Sequence, residues 1–268
     1  MTETTQTNSQ YSLAQILGLW AAVTVPTGIM AWAVFPALAP DFDTDPLGFA
    51  STRMAALTVG LIWQFVLTML VVRHQEGDLS WATLKRRLWL NAPRHPKTGE
   101  SGRQLWRWMV LIVVLHFIAA VLILPLIEGV FVDLVPSLAA PEGYELGSML
   151  EDEEIKEQLV GAWGIMGLFL FMGVFNTVLG EEFFFRGLLL PKMEGVFGKW
   201  DWLANGVLGT LYHVSMPWSW IGTTGGTWIF FYALPARYFR STWVSILAHS
   251  SIIVFWSFLF LGLMLGLA

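Results

Sequence analysis

The chain contains no cysteine. Disulfides, thiolate zinc sites and cysteine nucleophiles are therefore excluded. Charge is scarce as well, at 13% Asp, Glu, Lys and Arg, about half the share of a soluble domain. The opening residues, Met1 to Gln10, carry no Lys or Arg, so the basic region of a signal peptide is missing. Ile16 to Leu38 is too long an apolar run for such a peptide and reads as a retained helix. Internal repeats, nucleotide loops and nucleic-acid motifs are also absent, and no nucleic-acid partner is expected.

What is present is apolar. Hydrophobic residues make up 55% of the chain, and several runs approach the roughly 18–20 residues that span a hydrocarbon core. The fold class expected is all-α, a polytopic transmembrane helical bundle of about seven to eight spans. Seven are read near 14–38, 54–72, 106–127, 161–182, 202–221, 226–239 and 243–266. The 15 Trp suit aromatic belts at two interfaces. Pro26 and Pro36 should kink or end the first span, and Gly222 to Gly226 reads as a break between two short runs.

Loop charge suggests orientation. Arg73, Lys85, Arg86, Arg87, Arg94, Lys97, Arg103 and Arg107 crowd the segment 73–107, which the positive-inside rule makes cytoplasmic. Asp41, Asp43 and Asp45, and the stretch Glu142 to Glu157, would lie on the other side. The expected organisation is a polar cytoplasmic N-terminus at 1–13, N-terminal helices at 14–127, an acidic extracytoplasmic segment at 128–160 and a helical core at 161–268. The Glu181-Glu182 pair then falls at the cytoplasmic end of its span. The expected location is a prokaryotic plasma membrane. Leu79 to Leu90 has a basic cluster at helical spacing and could lie along the anionic leaflet. Topological ballast is the favoured reading.

The candidate chemistry lies in Gly180-Glu-Glu-Phe-Phe-Phe-Arg-Gly-Leu-Leu. An ionisable side chain at bilayer depth costs roughly 2.5–3.5 kcal/mol on insertion scales, so three within six positions suggest function. Glu182 and Arg186 are four apart and face each other across one helical turn. Glu181 is rotated about 100° from Glu182 and left free to accept a proton. The alternative is a structural ion pair at a helix end. His74 and His95 fall in the basic loop, and His116 reads as a satisfied core residue. His213 and His249 sit in or beside apolar runs. One glutamate and two histidines on separate helices could activate water, or hold zinc with an open position.

These motifs resemble the CAAX prenyl protease and bacteriocin-processing family of intramembrane endopeptidases, members of which are counted as metalloproteases. The resemblance covers roughly Gly161 to Phe260 and is closest at Glu181-Glu182-x-x-x-Arg186. It implies that Glu181 is the general base, that His213 helps hold the water and that His249 stabilises the oxyanion. Glu182 and Arg186 would orient the motif helix. Any zinc would be held by Glu181, His213 and His249. The implied partners are membrane lipid and a peptide or lipidated-protein substrate. Two departures stand out. Gly209 occupies the position four before His213 where the family has Phe, with Tyr212 beside the histidine instead. Ile253 occupies the position four after His249 where the family has Asn or Asp, and Ser250 and Ser251 are the candidate substitutes. The departures keep open a catalytically impaired binding or immunity protein. Intramembrane carboxylates and histidines also fit a proton-coupled transporter.

Overall fold

The structure, a computed structural model, describes residues 10–144, 150–220 and 224–267. It is all-helical, and no strand occurs among the described residues. Among the described residues, five helices are long and apolar enough to cross a bilayer: α1 (Leu13–Leu38), α2 (Pro46–Glu76), α4 (Arg103–Leu134), α6 (Trp163–Lys192) and α9 (Thr242–Met264). Between them lie the shorter α3 (Trp81–Arg87), α5 (Glu153–Leu159) and α7 (Asp201–Tyr212). The last, α8, joins a π-helical Thr227–Ala233 to an α-helical Leu234–Phe239. The spans read at 202–221 and 226–239 are thus the short helices α7 and α8.

Local chemistry sets the ends. Ser12 and Gln15 form a reciprocal capping box at the start of α1. Asp45 caps α2 through the Gly48 N–H, with Pro46 in the first turn, and Gly77 at φ 82° ends it. Pro26 stays inside α1 and is followed by a π-helical stretch, Met30–Val34, before Pro36 opens the last turn. The Gly222–Gly226 break lies partly outside the described residues, as does part of the acidic stretch from Glu142 to Glu157.

Two placements differ from the sequence reading. First, α6 does not end near 182 but runs to Lys192. The Glu181-Glu182 pair therefore lies inside the span and not at its end. Gly180 packs where a Cβ would stand 3.0 Å from the Leu61 carbonyl oxygen, and Leu61 is the middle of α2. Second, one cation of the basic stretch is not at the surface, while Lys85 and Arg86 stay exposed. Arg87 is buried. Its Nη2 donates to the Tyr11 hydroxyl at 2.6 Å and to Gln75 Oε1 at 3.1 Å, and its Nη1 donates to the Leu188 carbonyl at 3.2 Å. Leu88 and Leu90 are buried beside it. Arg87 thus ties the N-terminus and α3 to the end of α6.

The core of the bundle forms around α6. Phe183, Phe184, Phe185, Leu188 and Leu189 are buried against Tyr212, Trp228, Tyr232 and Ile246. α9 is anchored at its start, where Thr242 Oγ1 donates to the Leu88 carbonyl at 2.7 Å and Ser241 Oγ to the Asn91 carbonyl at 2.6 Å. These bonds fix the register of α9 against the motif helix.

Candidate active site

Residues 175–180 and 182–189 of α6 are π-helical, a geometry found mostly at functional sites. It puts Glu181 and Glu182 into different surroundings. Glu182 is fully buried. Its Oε1 accepts from His249 Nδ1 at 3.0 Å, and its Oε2 lies 3.6 Å from Arg186 Nε. Arg186 is also fully buried, donates through Nη2 to the Trp228 carbonyl at 3.3 Å, and lies 4.0 Å from the centroid of the Trp228 ring. Glu182 and Arg186 thus form a buried pair completed by a histidine and an aromatic face.

Glu181 is buried and faces the two histidines. Its Oε1 lies 3.9 Å from His213 Nε2, and its Oε2 lies 3.9 Å from His249 Nε2. Both gaps are too long for a direct hydrogen bond and suit one bridging atom. Glu181 Oε2 is buried without a hydrogen-bond partner.

The partners of the two rings fix their tautomers. His213 Nδ1 lies 2.9 Å from the Gly209 carbonyl, which can only accept, so Nδ1 carries the hydrogen. His249 Nδ1 faces the Glu182 carboxylate, which already has Arg186 on its other oxygen, and donates likewise. Both Nε2 atoms then turn lone pairs toward Glu181. The space between the three side chains is lined by acceptors and calls for a donor or a cation.

All five residues singled out in the sequence are brought together: Glu181, Glu182, Arg186, His213 and His249. His249 points inward and stacks on Tyr232 at 4.5 Å between centroids. His116 is a satisfied core residue, its Nε2 3.3 Å from the Tyr232 hydroxyl. Ser250 and Ser251 do not substitute at the site. Ser250 donates to Thr177 Oγ1 at 2.9 Å and Ser251 to the Ala248 carbonyl at 2.6 Å.

The sequence reading missed Trp228 and Asn176. A Cβ on Gly209 would stand 1.8 Å from Trp228 Cε3, so the indole from α8 fills the space that a Phe at 209 would need. Asn176 lines the same cavity as Glu181, five positions before it on α6. In an α-helix two residues five apart point about 140° away from each other. The i to i+5 geometry of a π-helix brings them together, and no 3.6-residue pattern reveals it.

Glu181, Asn176 and His213 stand at one end of a cavity of about 1100 Å³. From there it runs past Arg53 and Ala50 to Leu47 in the first turns of α2, and past Ile155 of α5. It thus extends toward the acidic end of the bundle, away from the basic loop.

The donor chemistry suits zinc: two imidazole lone pairs and a carboxylate, with His249 oriented from behind by Glu182. The three side chains are not drawn in to ligand spacing, and no group of three His, Cys, Asp or Glu is gathered in that way among the described residues.

Residues 162–266 match the type II CAAX prenyl endopeptidase family, Rce1-like. This segment, 105 of the 268 residues, is similar to that family. It contains α6 to α9 and therefore every residue of the cluster. The similarity points to a peptidase acting in a membrane setting. The match leaves α1 to α5 outside it, although α2 and α3 pack directly on the Rce1-like segment. No curated protein and no solved structure matches the chain.

Proposed function

We propose that this protein is an intramembrane endopeptidase in which Glu181 activates water. The observation that carries the reading is the Glu181 carboxylate, 3.9 Å from each of two histidine Nε2 atoms at the head of a cavity. A water in that gap donates to acceptors on two sides, which turns its oxygen lone pair toward the cavity. Glu181 takes a proton from the water as the oxygen adds to the carbonyl carbon of the peptide. It then returns that proton to the leaving amine. His213 Nε2 accepts the other hydrogen of the water, and Glu182 with Arg186 holds His249 as the facing wall. When bound by Glu181, His213 and His249, zinc would supply a more acidic water and a Lewis acid.

The substrate class is a membrane-associated peptide, with or without a lipid, suited to a largely apolar cavity. With the basic loop taken as cytoplasmic, the cavity favours access from the extracytoplasmic half of the bilayer.

The test is peptide release by purified protein in liposomes, on prenylated and unprenylated membrane-anchored peptides, together with metal analysis. A new N-terminus that depends on Glu181 supports the reading. Proton-coupled flux without cleavage would replace it with a transporter.

A further inference from the structure

His213 stands where its helix stops. α7 ends at Tyr212, and His213 has φ −74° and ψ 46°, outside the helical range. The chain beyond it lines the cavity through Ser215, Met216, Trp218 and Ser219. Carbonyl groups at a helix end lack the partners that hold the helix interior in place. The position of His213 Nε2, 3.9 Å from Glu181, therefore depends on what else grips this stretch of backbone.

Indole N–H groups do the gripping. Trp220 Nε1 donates to the His213 carbonyl at 2.7 Å. Trp32 Nε1 donates to the Val214 carbonyl at 2.6 Å, and Trp20 Nε1 to the Leu208 carbonyl at 2.7 Å. Trp20 and Trp32 both belong to α1, so one helix brackets His213 from either side. The Trp32 bond is the nearer of the two, at the very next residue. Gly28, four positions before Trp32, allows the approach: a Cβ there would stand 3.3 Å from Val214 Cγ2. The Trp32 ring also meets Trp218 edge-on, with centroids 6.3 Å apart. Trp32 lies in the π-helical stretch Met30–Val34, a geometry found mostly at functional sites. About half of its surface is exposed while its N–H turns inward, as suits a ring with an apolar body and one donor.

We propose that Trp32 is a positioning residue for His213, its N–H fixing the chain beside the histidine so that the imidazole faces Glu181. The inference deepens the peptidase reading and rests on it. Trp32 acts through His213 and not on the reacting atoms. α1 lies outside residues 162–266, and the proposal makes it part of the active-site machinery.

The experiment compares wild type, Trp32→Phe and Trp63→Phe in liposomes. Trp63 is the control, because its Nε1 makes the same kind of bond between α2 and α1, to the Ala22 carbonyl at 2.8 Å. Each variant keeps an aromatic ring and loses one donor. In Trp32→Phe kcat is expected to fall at least about tenfold, since small misplacements of a reacting group are costly, with KM changed by less than about threefold. Trp63→Phe should keep kcat within about twofold of wild type, which a general packing role for such bonds would not allow. Independently of turnover, the ring signals of His213 in protein labelled with nitrogen-15 at its five histidines, assigned with His213→Ala, should move in Trp32→Phe and stay put in Trp63→Phe. Should Trp32→Phe not fold, Gly28→Val wedges α1 away from Val214 without touching the indole, and the same fall in kcat is expected. Three results would each overturn the proposal: wild-type kcat in the folded α1 variant, an equal loss in Trp63→Phe, or unmoved His213 signals. Failure of wild type to cleave any peptide would instead count against the peptidase reading, and the histidine signals would still decide whether Trp32 positions His213.

Discussion

Gly209 and Trp228 occupy one space: a methyl group on the glycine would stand 1.8 Å from Cε3 of the indole. The indole also faces the Arg186 guanidinium at 4.0 Å and the His213 ring at 4.9 Å. The small residue at 209 therefore belongs to the arrangement of the site. Gly209→Ala should push Trp228 off Arg186 and cost about 1–3 kcal/mol, as overpacking does. Thermal unfolding in detergent measures the loss, and cleavage should fall with it.

Arg186 and Glu182 make a second prediction. Both are fully buried, and neither has water to replace the other. Arg186→Met leaves a buried carboxylate without its cation and should cost about 3–5 kcal/mol. Adding Glu182→Gln should recover part of this loss, because the uncompensated charge is then gone. Denaturation of the two variants in the same detergent makes the comparison.

The two histidines should separate by stability. His249→Ala removes the 3.0 Å donor to Glu182 as well as one wall of the gap beside Glu181. His213→Ala exposes only a backbone carbonyl and the other wall. Both variants should lose turnover by about a hundredfold or more, while His249→Ala alone should show a clear fall in melting temperature.

Arg87 bolts the N-terminus and α3 to the motif helix from outside the matched segment. Its hydrogen bonds to Tyr11, Gln75 and the Leu188 carbonyl end in Arg87→Leu. Each such charged bond is worth about 1.5–3 kcal/mol net. Hydrogen exchange should quicken at the amides of residues 187–190, and peptide cleavage should weaken without being abolished.

The all-helical membrane class and the five-residue cluster were legible because each rests on a one-dimensional signal. Apolar runs mark helices, and charges inside them are costly. Hidden was what comes from other helices. Trp228 fills the space at Gly209 from 19 positions away in the chain, and Asn176 shares the cavity wall with Glu181 on the π-helical part of α6. The depth of the glutamate pair was misjudged for a related reason. The run appeared to end at its first charges, yet the buried Glu182–Arg186 pair lets α6 continue to Lys192. Likewise the cationic stretch before Leu90 reads as a surface feature until Arg87 is seen bonded to Tyr11.

The central claim is the division of labour between adjacent glutamates, and paired turnover and melting measurements on Glu181→Gln and Glu182→Gln test it most directly. Glu181→Gln should abolish cleavage while melting as wild type does, since it faces a gap. Glu182→Gln should melt lower and retain measurable cleavage, since it holds Arg186 and His249 in place. Cleavage that survives in folded Glu181→Gln, or is abolished only in Glu182→Gln, would contradict the account.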